Sequence, residues 1–214
     1  MTEAVDDQRA NPARRIRGLD PEQRREQRRQ SVLDAALRLY AEQGYLHTSI
    51  EQLCQEAFVS TRSFYELFGG REQCHLELFR RLTQELETEM LQHLETIPDD
   101  EETAVDLLLA GWVQSLVSNP SRALVLLGPN RAITPEIEVE RRENREWAAT
   151  FVDGIWQRFG VTGSNHAIAI GLIGGMFDII SFWLIDGDPN DDESVAALSN
   201  HVNRFYRAVR RGLD

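Results

Sequence analysis

The chain has 214 residues, enough to bury a core in one or two domains, and 42% of them are hydrophobic. Its formal net charge of −12 argues at first against a nucleic-acid partner, although all 23 cationic residues are arginine. Two cysteines, Cys54 and Cys74, exclude a disulfide scaffold and favour a reducing compartment; with no apolar leader at the polar N-terminus, we expect a cytoplasmic protein.

The negative charge is concentrated in the C-terminal part of the chain. Residues 1–75 contain 11 Arg and 12 acidic residues, whereas residues 76–214 contain 12 Arg and 23 acidic residues. Within residues 9–38, 9 Arg face only 4 acidic residues. We therefore predict that residues 1–19 form a disordered, Arg-rich arm that an acidic body orients toward DNA; a solvated tail is the alternative.

Helix boundaries can be predicted from capping residues in chain order. Asp20 followed by Pro21 predicts a helix start, and Gly44 predicts its end after Gln43. A second, short helix is predicted after Thr48 or Ser49, with apolar residues three and four positions apart.

A third helix is predicted between the cap residue Ser60 and the pair Gly69-Gly70. It is too short to be stable alone, so its apolar side chains must pack inward. Those side chains are Phe64, Leu67 and Phe68, which leaves Thr61, Arg62, Ser63 and Tyr65 facing outward, as in a helix that lies against a DNA groove.

The segment from about Arg28 to Phe79 resembles the DNA-binding domain of the tetracycline-repressor (TetR) family. The residues that carry the resemblance are Ala35-Ala36, Leu39-Tyr40, Gly44-Tyr45, Thr48-Ser49-Ile50, Leu53, Val59-Ser60, Phe64-Tyr65, Phe68 and Arg71-Glu72. The resemblance implies an all-α protein, with an N-terminal three-helix helix-turn-helix domain over residues 20–75. A helical effector-binding and dimerisation domain would follow over residues 76–214.

Three positions depart from the family pattern. Phe58 stands at a turn where Gly or Asn is common, so we expect backbone strain or a shifted turn there. Arg71 replaces the usual Lys and should keep its phosphate contact. Leu67 replaces a polar side chain that contacts DNA in some relatives.

The function implied by the resemblance is a ligand-responsive, DNA-binding transcriptional regulator, most simply a dimeric repressor that a small molecule releases from a near-palindromic operator. Direct readout of guanine is assigned to Arg62. The predicted DNA-binding residues are Arg14, Arg15, Arg17, Thr48, Ser49, Ser60, Thr61, Arg62, Ser63, Tyr65 and Arg71.

The rest of the chain is also predicted to be helical. Apolar spacing and Pro or Gly breaks predict helices from Arg71 to about residue 97 and over residues 102–118, 121–127, 135–159, 164–185 and 191–211. The strongly apolar stretch 167–185 is long enough for a membrane span, but Asp178 favours a helix buried on all sides. We expect no membrane association.

The last two helices are predicted to form a homodimer interface, as the resemblance implies. The glycines Gly171, Gly174 and Gly175 and the apolar seam from Val195 to Val209 fit that role.

An effector cavity is also implied by the resemblance. Its predicted ligand-binding residues are Trp112, Trp147, Phe151, Ile155, Phe177 and Asp178, and packing in the core or at the dimer interface is the alternative. Met176 and Trp183 belong to the same group of candidates. Asp178 could meet a ligand, or equally Arg122, Arg131 or a partner subunit.

Catalytic and metal-binding spacings are missing from the sequence, so we expect no enzyme and no cofactor. Cys74 lies in the first turn of a predicted helix that could lower the pKa of its thiol, but inert cysteines are favoured over redox sensing. A helical adaptor that keeps the fold without specific DNA binding is the competing class.

Overall fold

The computed structural model describes residues 20–129 and 134–213, which form nine α-helices, a final 3-10 turn and no β-strand. The expected all-α fold is confirmed. The helices are α1 (Pro21–Gln43), α2 (Ile50–Glu56), α3 (Thr61–Phe68), α4 (Arg71–Leu94), α5 (Glu101–Val117), α6 (Pro120–Leu127), α7 (Pro135–Arg158), α8 (His166–Asp186) and α9 (Asp192–Arg210).

Side-chain caps define the starts of most of these helices. Asp20 and Gln23 form a reciprocal capping box at α1, and Ser49 and Gln52 form another at α2. At the other end, α3 stops at Gly69, whose φ of 75° is a left-handed conformation that glycine adopts without strain. Local signals in the sequence therefore account for the helix boundaries.

The buried apolar residues form two cores. The N-terminal core joins α1, α2, α3 and the first half of α4, and the C-terminal core joins the second half of α4 to α5, α7, α8 and α9. Leu86 of α4 packs against both. Because α4 is one continuous helix of 24 residues, it connects the two cores mechanically.

Helix α6 adds a second connection between the cores. Its residues Val125 and Leu126 are buried in the N-terminal core, together with Ile137 of α7, while Ala123 belongs to the C-terminal core. Any rearrangement of the C-terminal helices therefore reaches the N-terminal helices through α6 as well as α4.

The apolar helix α8 is not buried on all sides, contrary to the sequence-based prediction. Phe182 is 75% exposed, and Ile168 and Ile185 are also exposed within the single chain. By length and composition alone, α8 could cross a membrane. Its inner face packs against α7 and α9 of the same chain, so an exposed apolar strip remains on the outside.

Gly175 and part of the α9 seam take part in packing within the chain. A Cβ on Gly175 would lie 2.6 Å from the Phe205 ring of α9, so this glycine permits close contact between α8 and α9. Leu198 and Val202 of the α9 seam are fully buried in the C-terminal core. Because they are already covered, these two side chains are not available to a partner subunit.

Candidate DNA-recognition face and internal cavity

The third helix has one buried face and one exposed face. Phe64, Leu67 and Phe68 are buried in the N-terminal core, which explains why an apolar residue stands at position 67. On the opposite side lies the recognition face, which we define as Thr61, Arg62, Ser63 and Tyr65. Thr61, Arg62 and Tyr65 are exposed and Ser63 is half-buried, as the spacing predicted.

Arg29 of α1 contacts the C-terminal end of α3 and helps to hold it in place. Its guanidinium pairs with Glu77 of α4, donates to the Leu67 carbonyl oxygen at 3.2 Å and lies 5.3 Å from the centre of the Phe68 ring. Although Arg29 belongs to the basic region of the sequence, it therefore acts inside the fold. Arg14, Arg15 and Arg17 lie outside the described residues.

Arg62 carries a carboxylate partner one helical turn away. Its Nε donates to Glu66 Oε1 at 2.9 Å, and both side chains are exposed. The pair preorganises the guanidinium along the helix, but it also places a negative charge beside the recognition face. Arg62 must leave or share this partner to contact a base.

The serines near the recognition face have structural roles in helix capping. Ser60 Oγ accepts from the Ser63 backbone N–H at 3.1 Å, and Ser49 Oγ accepts from the Gln52 backbone N–H at 3.2 Å. Both serines keep accessible surface, so capping does not remove them from the predicted DNA-binding set.

Thr48 occupies a different position from the one predicted. It is fully buried, and its hydroxyl donates to the Gly44 carbonyl oxygen at 2.9 Å and accepts from Gln43 Nε2 at 3.1 Å. With no accessible surface, this side chain has no place for a DNA phosphate. Thr48 therefore positions the start of α2, and the prediction of a direct contact was wrong in this respect.

Arg71 is likewise turned inward. Its Nη1 donates to the Thr48 carbonyl oxygen at 2.6 Å, and its guanidinium carbon lies 4.4 Å from the centre of the Tyr45 ring. These contacts tie α4 to the turn that precedes α2. Arg71 has the expected positive charge, but at least one nitrogen of its guanidinium donates to a backbone carbonyl oxygen rather than to a phosphate.

Phe58, in the turn between α2 and α3, has the strain that the sequence predicted. Its φ is 56°, the one positive value among the described non-glycine residues, and its side chain is 96% exposed. A bulky residue in this conformation costs about 1 to 2 kcal/mol. No contact within the described residues offsets that cost by burying the ring.

A cavity of about 370 Å³ lies inside the C-terminal helices. The six predicted ligand-binding residues, Trp112, Trp147, Phe151, Ile155, Phe177 and Asp178, all line it, and so does Met176. Trp112 stacks on Phe177 with ring centres 6.0 Å apart, and Trp147 stacks on Phe151 at 5.5 Å. Flat aromatic surfaces therefore form much of its wall. Trp183 is not among the lining residues.

Several polar lining residues were not identified from the sequence. Thr83 and Glu87 come from α4, and Arg141, Asn144 and Arg145 come from α7. Asn144 Nδ2 lies 3.5 Å from Glu87 Oε1, and burial raises the pKa of the Glu87 carboxyl above its ordinary value. Charged residues on an amphipathic helix usually face solvent, so their inward position depends on how α7 packs.

Asp178 is exposed at the edge of the cavity rather than buried. Arg122, one of its predicted partners, pairs instead with Glu89 of α4 at 2.8 Å and also donates to the Ser115 hydroxyl at 3.0 Å. Arg131, another candidate, lies outside the described residues. The expected cost of burying an isolated carboxylate therefore does not arise in the single chain.

The two cysteines are buried and unpaired. Burial raises the pKa of the Cys74 thiol to about 12, with a further contribution from Glu77. The start of α4 could have lowered this pKa, but desolvation of the thiolate outweighs that effect, in agreement with the favoured interpretation of an inert cysteine. Among the described residues, no cluster of three or more His, Cys, Asp or Glu side chains could hold a metal ion.

Residues 32–78 match the family described as bacterial regulatory proteins, tetR family. The chain is 29% identical over 117 residues to the HTH-type transcriptional regulator HbdR of Aromatoleum sp. (strain CIB), which covers 55% of this chain and 49% of HbdR. It is 23% identical over 173 residues to the HTH-type transcriptional activator FasR of Mycolicibacterium smegmatis, covering 79% and 78% of the two chains. The matched segment thus spans about half the length of HbdR.

A solved structure shares the fold. The transcriptional regulator FadR of Bacillus subtilis, determined in complex with stearoyl-CoA, superimposes with a TM-score of 0.66 at 22% identity over 82% of this chain and 95% of FadR. At that level of identity, the comparison shows a common helical architecture.

Proposed function

Since this chain belongs to the tetR family of bacterial regulatory proteins, we propose that it is a dimeric repressor that binds a near-palindromic operator and is released by a small molecule. The observation that carries the proposal is the recognition face of α3, where polar side chains are exposed above a buried aromatic face. Regulators of this family are soluble, and we place the protein in the cytoplasm.

Contacts with DNA are assigned by position. Arg62 would contact base edges, with Thr61, Ser63 and Tyr65 beside it, while Ser49 and Ser60 would contact the phosphate backbone. The proposed contacts of Arg14, Arg15 and Arg17 in the minor groove complete the set. Arg71 supports this surface through its hydrogen bond to Thr48.

An electrophoretic mobility shift with the DNA flanking the protein's own gene tests the proposal directly. We expect a specific complex whose affinity falls steeply with salt, because Arg–phosphate contacts release counterions. Arg62→Ala should cost about 1 to 3 kcal/mol at one base pair and relax the sequence preference there. Arg142→Ala, on the exposed surface of α7, serves as the matched control.

Three outcomes would contradict parts of this assignment. An equal loss on every sequence would make Arg62 a phosphate contact rather than a base contact. Failure to bind any duplex at low ionic strength would favour the adaptor function, with which the exposed Phe58 ring is compatible. A transcript that falls when the gene is deleted would indicate an activator instead.

The exposed strip of α8 supports dimer formation through the last two helices. Ile168, Phe182 and Ile185 present apolar surface on the outside of the chain, and a Cβ on Gly171 would meet no atom within 4 Å. We expect sedimentation to show a dimer at micromolar concentration. Phe182→Glu should produce monomers, because it would place a charge in the proposed interface.

The cavity is the proposed effector site. Because stearoyl-CoA occupies the related FadR, an apolar effector is compatible with the aromatic walls found here. Phe79, Leu86 and Met90 place α4 in that wall, so a ligand would displace α4 and change the separation of the two recognition helices. Scattering curves that give the same separation with and without effector would contradict this mechanism.

A further inference from the structure

The lining of the cavity combines apolar and polar side chains. The residues supplied by α5, among them Val105, Leu108 and Trp112, are all apolar. Most polar lining residues come from α4 and α7, and α8 adds Asp178 and Ser181. Such a site matches a ligand with one polar end and one apolar end.

Arg145 lies in the cavity wall and is half-buried. Its Nε is shielded from solvent and has no hydrogen-bond acceptor among the described residues. The Nε atoms of Arg81 and Arg122 also lack an acceptor, but these two residues form ion pairs through Nη1, with Asp34 and Glu89. A shielded cation without a counter-charge is energetically unfavourable, and an anion in the cavity would remove that cost.

The acidic residues of the cavity leave this positive charge uncompensated. Glu87 accepts from Asn144 at 3.5 Å, and burial raises the pKa of its carboxyl above the ordinary value. Asp178 is exposed at the edge of the cavity, where solvent stabilises its charge. Arg141 already has an ion-pair contact with Glu138 at 3.8 Å and lies over the Phe79 ring. Arg145 is therefore the group most in need of an anionic partner.

We propose that the cavity binds a compact amphipathic carboxylate, with its head group on Arg145 and its apolar tail between the Trp112–Phe177 and Trp147–Phe151 pairs. This assignment rests on the proposed effector role of the cavity and specifies its ligand chemistry. A guanidinium holds a carboxylate through two parallel hydrogen bonds. The volume of 370 Å³ is near the lower end of ligand pockets, about 300 to 1,000 Å³, which favours a single short tail.

Three ligands with the same ten-carbon chain and different head groups test the assignment: decanoate, decanol and decylamine. Titration below the micellar concentration can be followed by tryptophan fluorescence, since Trp112 and Trp147 line the cavity. We expect decanoate to bind at least about tenfold more tightly than the other two. Arg145→Met should weaken decanoate binding by about ten- to a hundredfold and leave decanol nearly unchanged.

Two further variants complete the experiment. Arg142→Met removes an exposed guanidinium from the same helix and should leave all three affinities unchanged. Asp178→Asn removes a negative charge from the edge of the cavity and should strengthen decanoate binding, because that charge repels a carboxylate ligand. Circular dichroism and thermal unfolding establish that each variant is folded.

The assignment would be overturned by a preference for decylamine or by loss of decylamine binding in Asp178→Asn. It would also be overturned if Arg145→Met still preferred decanoate as the wild type does. Absence of decanoate binding at millimolar concentration would overturn it too. The operator shift separates this inference from the proposed function. If decanoate binds through Arg145 but does not release DNA, the ligand class is supported and the effector role is contradicted. If the protein binds DNA but does not bind decanoate, only the ligand class is contradicted.

Discussion

The two cores of the protein accommodate buried polar groups in opposite ways. In the N-terminal core, both ring nitrogens of His75 and the Tyr40 hydroxyl lack a hydrogen-bond partner among the described residues, and the rings pack edge to face at 5.1 Å. In the C-terminal core, Arg122 is 4% exposed and is ion-paired with Glu89. The buried polar groups of the N-terminal core are therefore neutral, whereas the C-terminal core contains a charged arginine with an ion-pair partner.

This difference determines what should disturb each region. A neutral histidine is sensitive to acid, because the unfolded chain takes up a proton that the folded core does not accept. A paired arginine is insensitive to mild acid but sensitive to removal of either partner. The N-terminal and C-terminal regions should therefore respond to different perturbations.

The largest effect is expected from Arg122→Met in the C-terminal core. The substitution removes the counter-charge of Glu89, which keeps its hydrogen bond from the Ser115 hydroxyl, and should lower the free energy of unfolding by about 3 kcal/mol. This is the lower end of the usual range for broken buried pairs, since the Glu89 side chain is 38% exposed. Chemical denaturation measures the change.

The matched control is Arg38→Met, which removes the partner of Glu56 in a pair whose two side chains are both exposed. It should cost less than about 1 kcal/mol, as exposed ion pairs usually do. Equal losses for the two variants would show that the Arg122 network contributes no more than a surface pair.

Acid should destabilise the N-terminal core through His75. Burial, with smaller contributions from Arg141 and Arg71, lowers the pKa of His75 from 6.5 to about 4. Its contribution to stability is fully present above pH 6.5 and is lost as the pH falls to about 4. The loss amounts to roughly 3 kcal/mol at most.

His75→Phe isolates this contribution, since a phenyl ring can keep the contacts with Tyr40 and Tyr45 without titrating. The free energies of unfolding of the wild type and His75→Phe should converge as the pH falls below 6.5, because the wild type loses more stability. Parallel pH dependences between pH 6.5 and pH 4 would mean that His75 does not titrate differently in the folded state.

A smaller effect, in the stabilising direction, is expected from Phe58→Gly. Glycine adopts a φ of 56° without strain, but its greater freedom in the unfolded chain offsets part of the gain, so we expect about 1 kcal/mol or less. Leu46→Gly is the control, because Leu46 is exposed like Phe58 but has no positive φ. A destabilised Phe58→Gly protein would show that the ring makes a stabilising contact.

The cysteines should produce the smallest effect. Both thiols are buried and burial raises the pKa of each, so Ellman's reagent at pH 8 should label them slowly, through transient opening of the N-terminal core. Cys54 should react before Cys74, whose thiol is fully buried. Rapid labelling of the folded protein, with loss of operator binding after peroxide, would instead support redox sensing.

Features set by neighbouring residues in the chain could be predicted from the sequence. Asp20, Ser49 and Ser60 all act as helix caps where expected, and the two faces of α3 follow from its 3.6-residue period. The strained turn at Phe58 could be predicted because it depends on one residue's backbone conformation.

Features that depend on tertiary packing could not be predicted in the same way. Arg71 and Thr48 carry the chemistry of DNA contacts, yet the packing of α4 against the turn before α2 directs both inward. Arg145 looks like a surface residue in the sequence and lines the cavity because of the rotation of α7. Likewise, the spacing of α9 predicts an apolar seam but cannot distinguish packing within one chain from packing between two.

The length of α4 has a consequence for how little movement regulation requires. Its 24 residues extend for about 36 Å, as an uninterrupted rod from the α3 end to the cavity and beyond. Tilting such a lever by about 5° moves its tip by roughly 3 Å, close to the rise of one base pair. Under the proposed mechanism, a tilt of this size would take the recognition helix out of register with the operator without unfolding any helix.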